Sequence, residues 1–233
     1  MSFEKKVPVI TIDGPSGTGK GTLCHLIAQH LQWNVLDSGC LYRVLAYAAR
    51  QKAIDLTDKN ALVELALAMN LRFETHSSQE NAVFLEGEDV FRAIRSEQCG
   101  QDASKIAVIP EIREALLARQ RGFAKLPGLV TDGRDMGTVV FPDAILKVYL
   151  DASVDERAKR RYLQLKEKGI DASLPEVVDE LTKRDARDTA RLHAPLKPAE
   201  DAVLVDTTGL EIAQVFKIVL QLIDTRGIPY KSC

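Results

Sequence analysis

Apolar positions along the chain gather into five short, nearly continuous runs, at residues 7–13, 35–37, 129–132, 146–151 and 202–206. Each run closes on an aspartate: Asp13, Asp37, Asp132, Asp151 and Asp206. Strands buried on both faces read this way, without the alternation of a half-exposed strand, so the runs predict a parallel sheet. Between them the spacing turns helical, at residues 22–31, 41–52, 110–124, 154–168, 175–191 and 210–226. Strands alternating with helices imply an α/β domain with right-handed crossovers, in which ligands bind at the carboxyl ends of the strands. The five aspartates fall where chemistry is expected.

Two segments break the rhythm. Within residues 53–106, the runs 71–75 and 82–86 flank a polar stretch at 76–81 and predict a β-hairpin in an inserted subdomain. Residues 157–191 hold six arginines between the fourth and fifth strands. With no internal repeat and no low-complexity linker, residues 1–233 read as one domain carrying two insertions.

Composition narrows the classes. Of 233 residues, 45% are hydrophobic and 27% charged, enough apolar content for a core and against global disorder. The net charge of -2 disfavours a bulk electrostatic binder of nucleic acid. Cys24, Cys40, Cys99 and Cys233 show no CxxC spacing, so neither a zinc knuckle nor a thioredoxin-like motif is supported, and they read as reduced thiols. The first residues lack the apolar run of a secretory leader, and no stretch reaches ~18 apolar residues. No membrane partner and a cytoplasmic setting are expected.

The strongest chemical signal lies between the first strand and the first helix. Gly14, Pro15, Ser16, Gly17, Thr18, Gly19, Lys20, Gly21 and Thr22 match GxxxxGK in the strand–loop–helix context of a phosphate-binding P-loop. Its glycines let successive N–H groups face phosphate oxygens, the helix N-terminus adds its dipole, and Lys20 reaches the β and γ phosphates. The usual Ser or Thr after the lysine, a Mg²⁺ ligand, is replaced by Gly21. Mg²⁺ is expected with the ATP, and no side chain is singled out as its ligand.

Three further segments suit an anionic acceptor. In Asp37–Arg43 (DSGCLYR), Ser38 and Gly39 offer an N-cap and free backbone donors, and Arg43 lies on the first turns of the helix. In DGRDMG, Arg134 follows the third strand, and guanidinium groups are the preferred partners of phosphate. In KRDARDTAR, Arg184, Arg187 and Arg191 share one helix face, with Asp185 and Asp188 interleaved. That face reads either as an exposed salt-bridged surface or as a lid that brings arginines onto the transferring phosphoryl group. Arg157, Arg160 and Arg161 head the helix leading into it, so a hinge is expected there.

The segments GPSGTGKGT, DSGCLYR, IREALLARQR, DGRDMGTVVFPDA and KRDARD together resemble the bacterial cytidylate kinases, from about residue 8 to the C-terminal helix. The resemblance implies a P-loop NTPase core with a five-stranded parallel sheet flanked by helices, an inserted monophosphate-binding subdomain and a short arginine-rich lid. It divides the chain into a core (1–36, 107–156 and 192–233), an insert (37–106) and a lid (157–191). It implies transfer of the ATP γ-phosphoryl group to CMP or dCMP; a monomer with no nucleic-acid partner is expected. It assigns cytosine recognition to Ser104, Arg113 and Asp135. The CMP phosphate goes to Arg43, Arg134 and Arg191 with Ser38 nearby, the ribose region to Arg184 and Asp188, and the ATP side of the lid to Arg157. Lys20, Arg134, Arg184 and Arg191 form the expected catalytic set. Cys40 stands where alanine is usual in this family, which suggests a thiol-sensitive pocket, and residues 76–81 differ in length from some relatives.

The chemistry fits the residues. A phosphate monoester is mostly a dianion at neutral pH and needs no general base. His25, His30, His76 and His193 are scattered without an obvious partner. Repulsion between two polyanions is the obstacle, and arginines with Mg²⁺ relieve it. Asp37 would serve an alcohol acceptor, so a kinase of another small acceptor stays open. A nucleotide-dependent switch would need a guanine-reading NKxD motif, which is missing, and an RNA-binding module would need an aromatic-rich basic sheet.

Overall fold

The computed structural model describes residues 6–74, 82–167 and 169–228. In chain order the elements are β1 (Val9–Asp13), α1 (Lys20–Leu31), β2 (Asn34–Asp37), α2 (Ser38–Gln51), α3 (Lys59–Ala68), β3 (Leu71–Glu74), β4 (Ala82–Leu85) and β5 (Glu88–Asp89). They continue with α4 (Glu97–Ile106), α5 (Pro110–Arg121), β6 (Leu129–Gly133), β7 (Leu146–Asp151), α6 (Val154–Glu167), α7 (Leu174–Thr189), β8 (Val203–Asp206) and α8 (Ile212–Thr225). The polar stretch 76–81, Thr75, Lys168 and Cys233 lie outside the described residues. None of the described helices is long and apolar enough to cross a membrane.

The chain forms two compact units, one of residues 1–37 and 120–233, the other Ser38–Arg119. The first holds a five-stranded sheet in the order β2-β6-β1-β7-β8, with every neighbouring pair parallel. All five expected strands are present, and β1 is central and buried along its whole length. Its Ile10 and Ile12 pack with Leu23 and Ile27 of α1 and with Val215, Val219 and Ile223 of α8 in one core. A smaller apolar cluster joins Ala158 and Leu165 of α6 to Val177 and Leu181 of α7. α7 begins in a capping box, with Ser173 and Glu176 satisfying each other's backbone N–H groups and a proline in the first turn.

Several boundaries differ from the sequence expectation. α7 ends at Thr189, so Arg191 lies beyond the helix instead of on its face. Helical spacing persists for two residues after the backbone has left the helix. α2 begins at Ser38 itself, directly from β2, so Ser38 is its first residue and not a cap ahead of it. β6 continues to Gly133, one residue past its aspartate.

In the second unit, β3 and β4 pair antiparallel, Leu71 opposite Leu85, as the alternation at 71–75 and 82–86 predicts. A third strand, β5, follows a two-residue turn in which Glu86 and Gly87 both take positive φ, the type I′ geometry that suits hairpins. α4 is capped by Ser96, whose hydroxyl accepts the Cys99 N–H, and it packs on α2.

One close approach in the first unit is directly testable. A Cβ on Gly128 would stand 2.3 Å from Trp33 Cδ2. Trp33 is buried and is the only tryptophan in the chain. Gly128→Ala should cost about 1–3 kcal/mol of stability by overpacking, lowering the melting temperature and shifting tryptophan emission together.

Candidate active site

The glycine loop leaves the central strand under tight steric constraint. A Cβ on Gly14, at φ 143°, would lie 2.0 Å from the Leu150 carbonyl oxygen of β7. One on Gly17, at φ 86°, would lie 3.0 Å from Arg157 Cβ at the head of α6. Only glycine lets the loop curl between these walls. Lys20 opens α1 buried, its ammonium donating to the Pro15 carbonyl at 2.5 Å and to Thr18 Oγ1 at 3.3 Å. Burial pushes its pKa well below the ordinary lysine range; Arg134 and Arg184 push the same way, while Asp132 and Asp13 oppose them. Thr22 is exposed on α1, and the space around Gly21 is open.

Beside the loop, β2 and β6 place Asp37 and Asp132 as register partners at their carboxyl ends. Asp132 is buried, and its Oδ1 has no hydrogen-bond partner among the described residues. Burial, with Asp37 beside it, raises its pKa to about 8 against the pull of Lys20 and Arg134. Asp13 accepts the N–H groups of Met136 and Gly137 at 2.9 and 2.8 Å. Burial raises its pKa to about 6, although both N–H bonds favour the anion. Of the other strand-end aspartates, Asp151 accepts the Ala152 N–H and Asp206 the Thr208 N–H, so both terminate local turns.

The arginine-rich segment meets this edge of the sheet through carboxylates. Arg134 Nε donates to Asp188 Oδ2 at 2.9 Å, and Arg191 donates to Asp188 Oδ1. Asp188 is 1% exposed, which rules out the exposed surface pair. α7 ends one residue after Asp188, and the chain turns Arg191 back onto it. Although burial opposes it, Arg134, Arg191 and Arg184 hold the Asp188 carboxyl below the usual range. Arg157, 3% exposed, donates to the carbonyls of Ala152 and Ser16 at 3.0 Å and pairs with Asp185 at 2.6 Å. The head of α6 is therefore fastened to the glycine loop.

In the second unit, Arg43 of α2 donates to the carbonyls of Ile94 and Ser96 at 3.0 and 3.4 Å. Its guanidinium lies where a Cβ on Gly100 would meet it at 2.8 Å, so glycine makes its room. Arg113 donates to the Ala107 carbonyl at 3.2 Å and stands over the Tyr42 ring at 5.8 Å. Ser104 is buried on α4, and its hydroxyl has no hydrogen-bond partner among the described residues. Ser38 and Cys40 are buried in α2.

Sequence reasoning marked Asp13 and Asp132 only as two of five strand-end aspartates, and it did not single out Asp185. Pairing register sorts them, and that is not visible locally. Two histidines also have partners: His25 Nδ1 lies 2.8 Å from the Gly21 carbonyl oxygen, and His30 meets the Phe216 ring edge-on.

Comparison with known proteins bears on all of this. A family model described as cytidylate kinase matches residues 10–225. The chain is 58% identical to the cytidylate kinase of Pseudomonas savastanoi pv. phaseolicola over 96% of its length and 98% of the relative. It is 54% identical to that of Stutzerimonas stutzeri, again over 96% and 98% of the two chains. Among solved structures, a gluconokinase from Sinorhizobium meliloti 1021 resembles it at a TM-score of 0.49 and 15% identity, over 95% and 94% of the two chains. At that distance the likeness says nothing of activity.

The raised carboxyls predict an unusual pH dependence without nucleotide. With pKa values of about 8 and about 6 against an ordinary 3.8, Asp132 and Asp13 bind more protons folded than unfolded. Their contribution is full below about 4 and is lost as pH rises through about 6 and then about 8. Melting temperatures across that range should fall with rising pH, and Asp132→Asn should flatten the upper part of the slope. An unchanged slope in the variant would assign the dependence elsewhere.

Proposed function

The chain belongs to the cytidylate kinase family, and from that membership we propose how its residues carry the reaction. The enzyme transfers the γ-phosphoryl group of ATP to CMP or dCMP, giving ADP and CDP or dCDP. One observation carries the residue assignment. Arg134 after β6 and Arg184 of α7 both lie close enough to act on the charge of Lys20 in the glycine loop, at the carboxyl edge of the sheet. Three cationic side chains gathered at the end of the glycine loop suit a site for a polyanion.

In this reading Gly14–Thr22 cradles the ATP phosphates with its N–H groups. Phosphate charge favours the ammonium form of Lys20, and Lys20 follows the charge that develops on the β and γ oxygens. Arg134, Arg184 and Arg191 draw the two polyanions together and stabilise the transferring group. The acceptor phosphate attacks as a dianion, so no side chain need remove a proton. Arg157 fastens the head of α6 to the loop through Ser16 and serves the ATP side indirectly.

The residues also suit Mg²⁺. Among the described residues no group of three or more His, Cys, Asp or Glu is placed to hold a metal. Mg²⁺ in kinases is instead bound by one or two carboxylates together with waters and phosphates. The buried Asp132 oxygen, without a hydrogen-bond partner among the described residues, is such a donor set with Asp37 beside it. When bound, the ion neutralises charge on the β and γ phosphates.

For the acceptor, the proposal gives the phosphate to Arg43, Arg134 and Arg191 with Ser38, and the ribose to Arg184 and Asp188. Cytosine presents an N4 donor beside N3 and O2 acceptors, which suits the Asp135 carboxylate and the Arg113 guanidinium. The Ser104 hydroxyl, which has no hydrogen-bond partner among the described residues, is assigned to the base. The division into core, insert at 37–106 and lid at 157–191, a cytoplasmic setting and a monomer belong to the same proposal.

Coupled ADP release with CMP, dCMP, UMP, AMP or no acceptor tests the reading. CMP and dCMP should be consumed fastest, and Lys20→Ala should lower turnover by ~10²–10³ with the fold intact. Near-normal turnover in that variant would sink the loop assignment, and preference for another acceptor would sink the substrate. Asp188→Asn should lower turnover with both CMP and dCMP, because it loosens Arg134 and Arg191. The fall should be greater with CMP, whose 2′-hydroxyl a carboxylate accepts. No change with either substrate would reduce Asp188 to a structural ion pair.

A further inference from the structure

The two residues between β6 and the turn after it are held at both ends by one side chain's neighbourhood. Gly133 is the register partner of Asp13 in the β1–β6 pairing. Met136 and Gly137 donate their N–H groups to the two oxygens of the same Asp13. These N–H groups open a π-helical turn, Met136–Val140, and the first donors of a helical turn have no partner within it. The seat is close: a Cβ on Gly137 would stand 2.8 Å from Thr11 Oγ1 and 3.2 Å from Lys147 Cδ. Only Arg134 and Asp135 lie between the anchors, so their backbones have little freedom left.

We propose that Asp13 is a positioning residue for the acceptor: by gripping the turn at Met136 and Gly137 it aims Arg134 and Asp135, and thereby sets CMP affinity and base choice. The inference rests on the reading that Arg134 and Asp135 meet CMP. It separates from ATP binding although Asp13 precedes the glycine loop directly. That loop has its own supports: Leu150 beneath Gly14, Arg157 on the Ser16 carbonyl and Lys20 on the Pro15 carbonyl. An aspartate is required because a carboxylate accepts at both oxygens. The isosteric asparagine accepts at one and turns an amide N–H₂ toward the second backbone donor, leaving it buried and unsatisfied.

The test is steady-state kinetics on the full chain for Asp13→Asn, Asp135→Ala and the double variant, with KM measured separately for CMP and ATP. Asp13→Asn should raise the KM for CMP roughly tenfold and narrow the preference for CMP over UMP, while the KM for ATP stays as it was. The double variant should lose less than the product of the two single effects, since Asp13 acts in part through Asp135. An equal rise in both KM values, or an unchanged KM for CMP beside an impaired Asp135→Ala, overturns the inference. An Asp135→Ala protein with normal CMP kinetics overturns the site reading instead. Should Asp13→Asn fail to fold, Gly137→Ala loosens the same grip from the other side. It should show the same selective rise, and an unchanged KM for CMP in that variant overturns the inference equally.

Discussion

Burying like and unlike charges side by side at the carboxyl end of one sheet is a problem that most of the neighbouring structure answers. Lys20, Asp132, Asp188, Arg157 and Arg191 are each less than a tenth exposed. An isolated ion there would lose several kcal/mol of hydration. All but Asp132 are kept by specific partners: Lys20 by a loop carbonyl, Asp188 by the guanidinium groups of Arg134 and Arg191, Arg157 by two carbonyls and Asp185. Around Lys20, Arg134 and Arg184 push against its charge while Asp132 and Asp13 support it. Bound phosphates would add anions beside these cations, so the proposed nucleotide binding and the internal stability of this edge are one electrostatic problem.

The same pairings tie together segments far apart in the chain. Arg134 of the β6 loop meets Asp188 of α7, and Arg157 of α6 meets both Ser16 and Asp185. Two aspartates three residues apart on α7 thus reach different parts of the site. An arginine-rich segment on its own would be repelled by the cations already present. Interleaved aspartates convert that repulsion into two latches, and phosphate can compete for the same guanidinium groups.

Much of this was legible before any coordinates. Strands covered on both faces must be apolar throughout, so all five showed in the pattern; the glycine loop showed because close approach to Leu150 and Arg157 demands glycine at fixed spacing. What stayed hidden depended on contacts between distant segments. Five aspartates ended five runs, and only pairing register put Asp37 opposite Asp132 while Asp13 took backbone donors. Arg191 kept the helical spacing of Arg184, yet the helix had already ended. The two-residue β5 was too short for any period to form. The buried hydroxyl of Ser104 carried no local signal, and the family resemblance alone singled it out.

Topology adds something else. β2 and β6 are hydrogen-bonded neighbours, yet the chain leaves one at Asp37 and enters the other only at Leu129. The whole second unit lies on this single crossover. The entropy of closing such an excursion grows only with the logarithm of its length, so the sheet is nearly indifferent to how much chain is inserted there. Evolution can rewrite that excursion, along with the acceptor-reading groups proposed to lie on it, while the strand register and the glycine loop stay as they are. It is therefore the natural exchange point for chimaeras, and the place where related enzymes have the most licence to diverge.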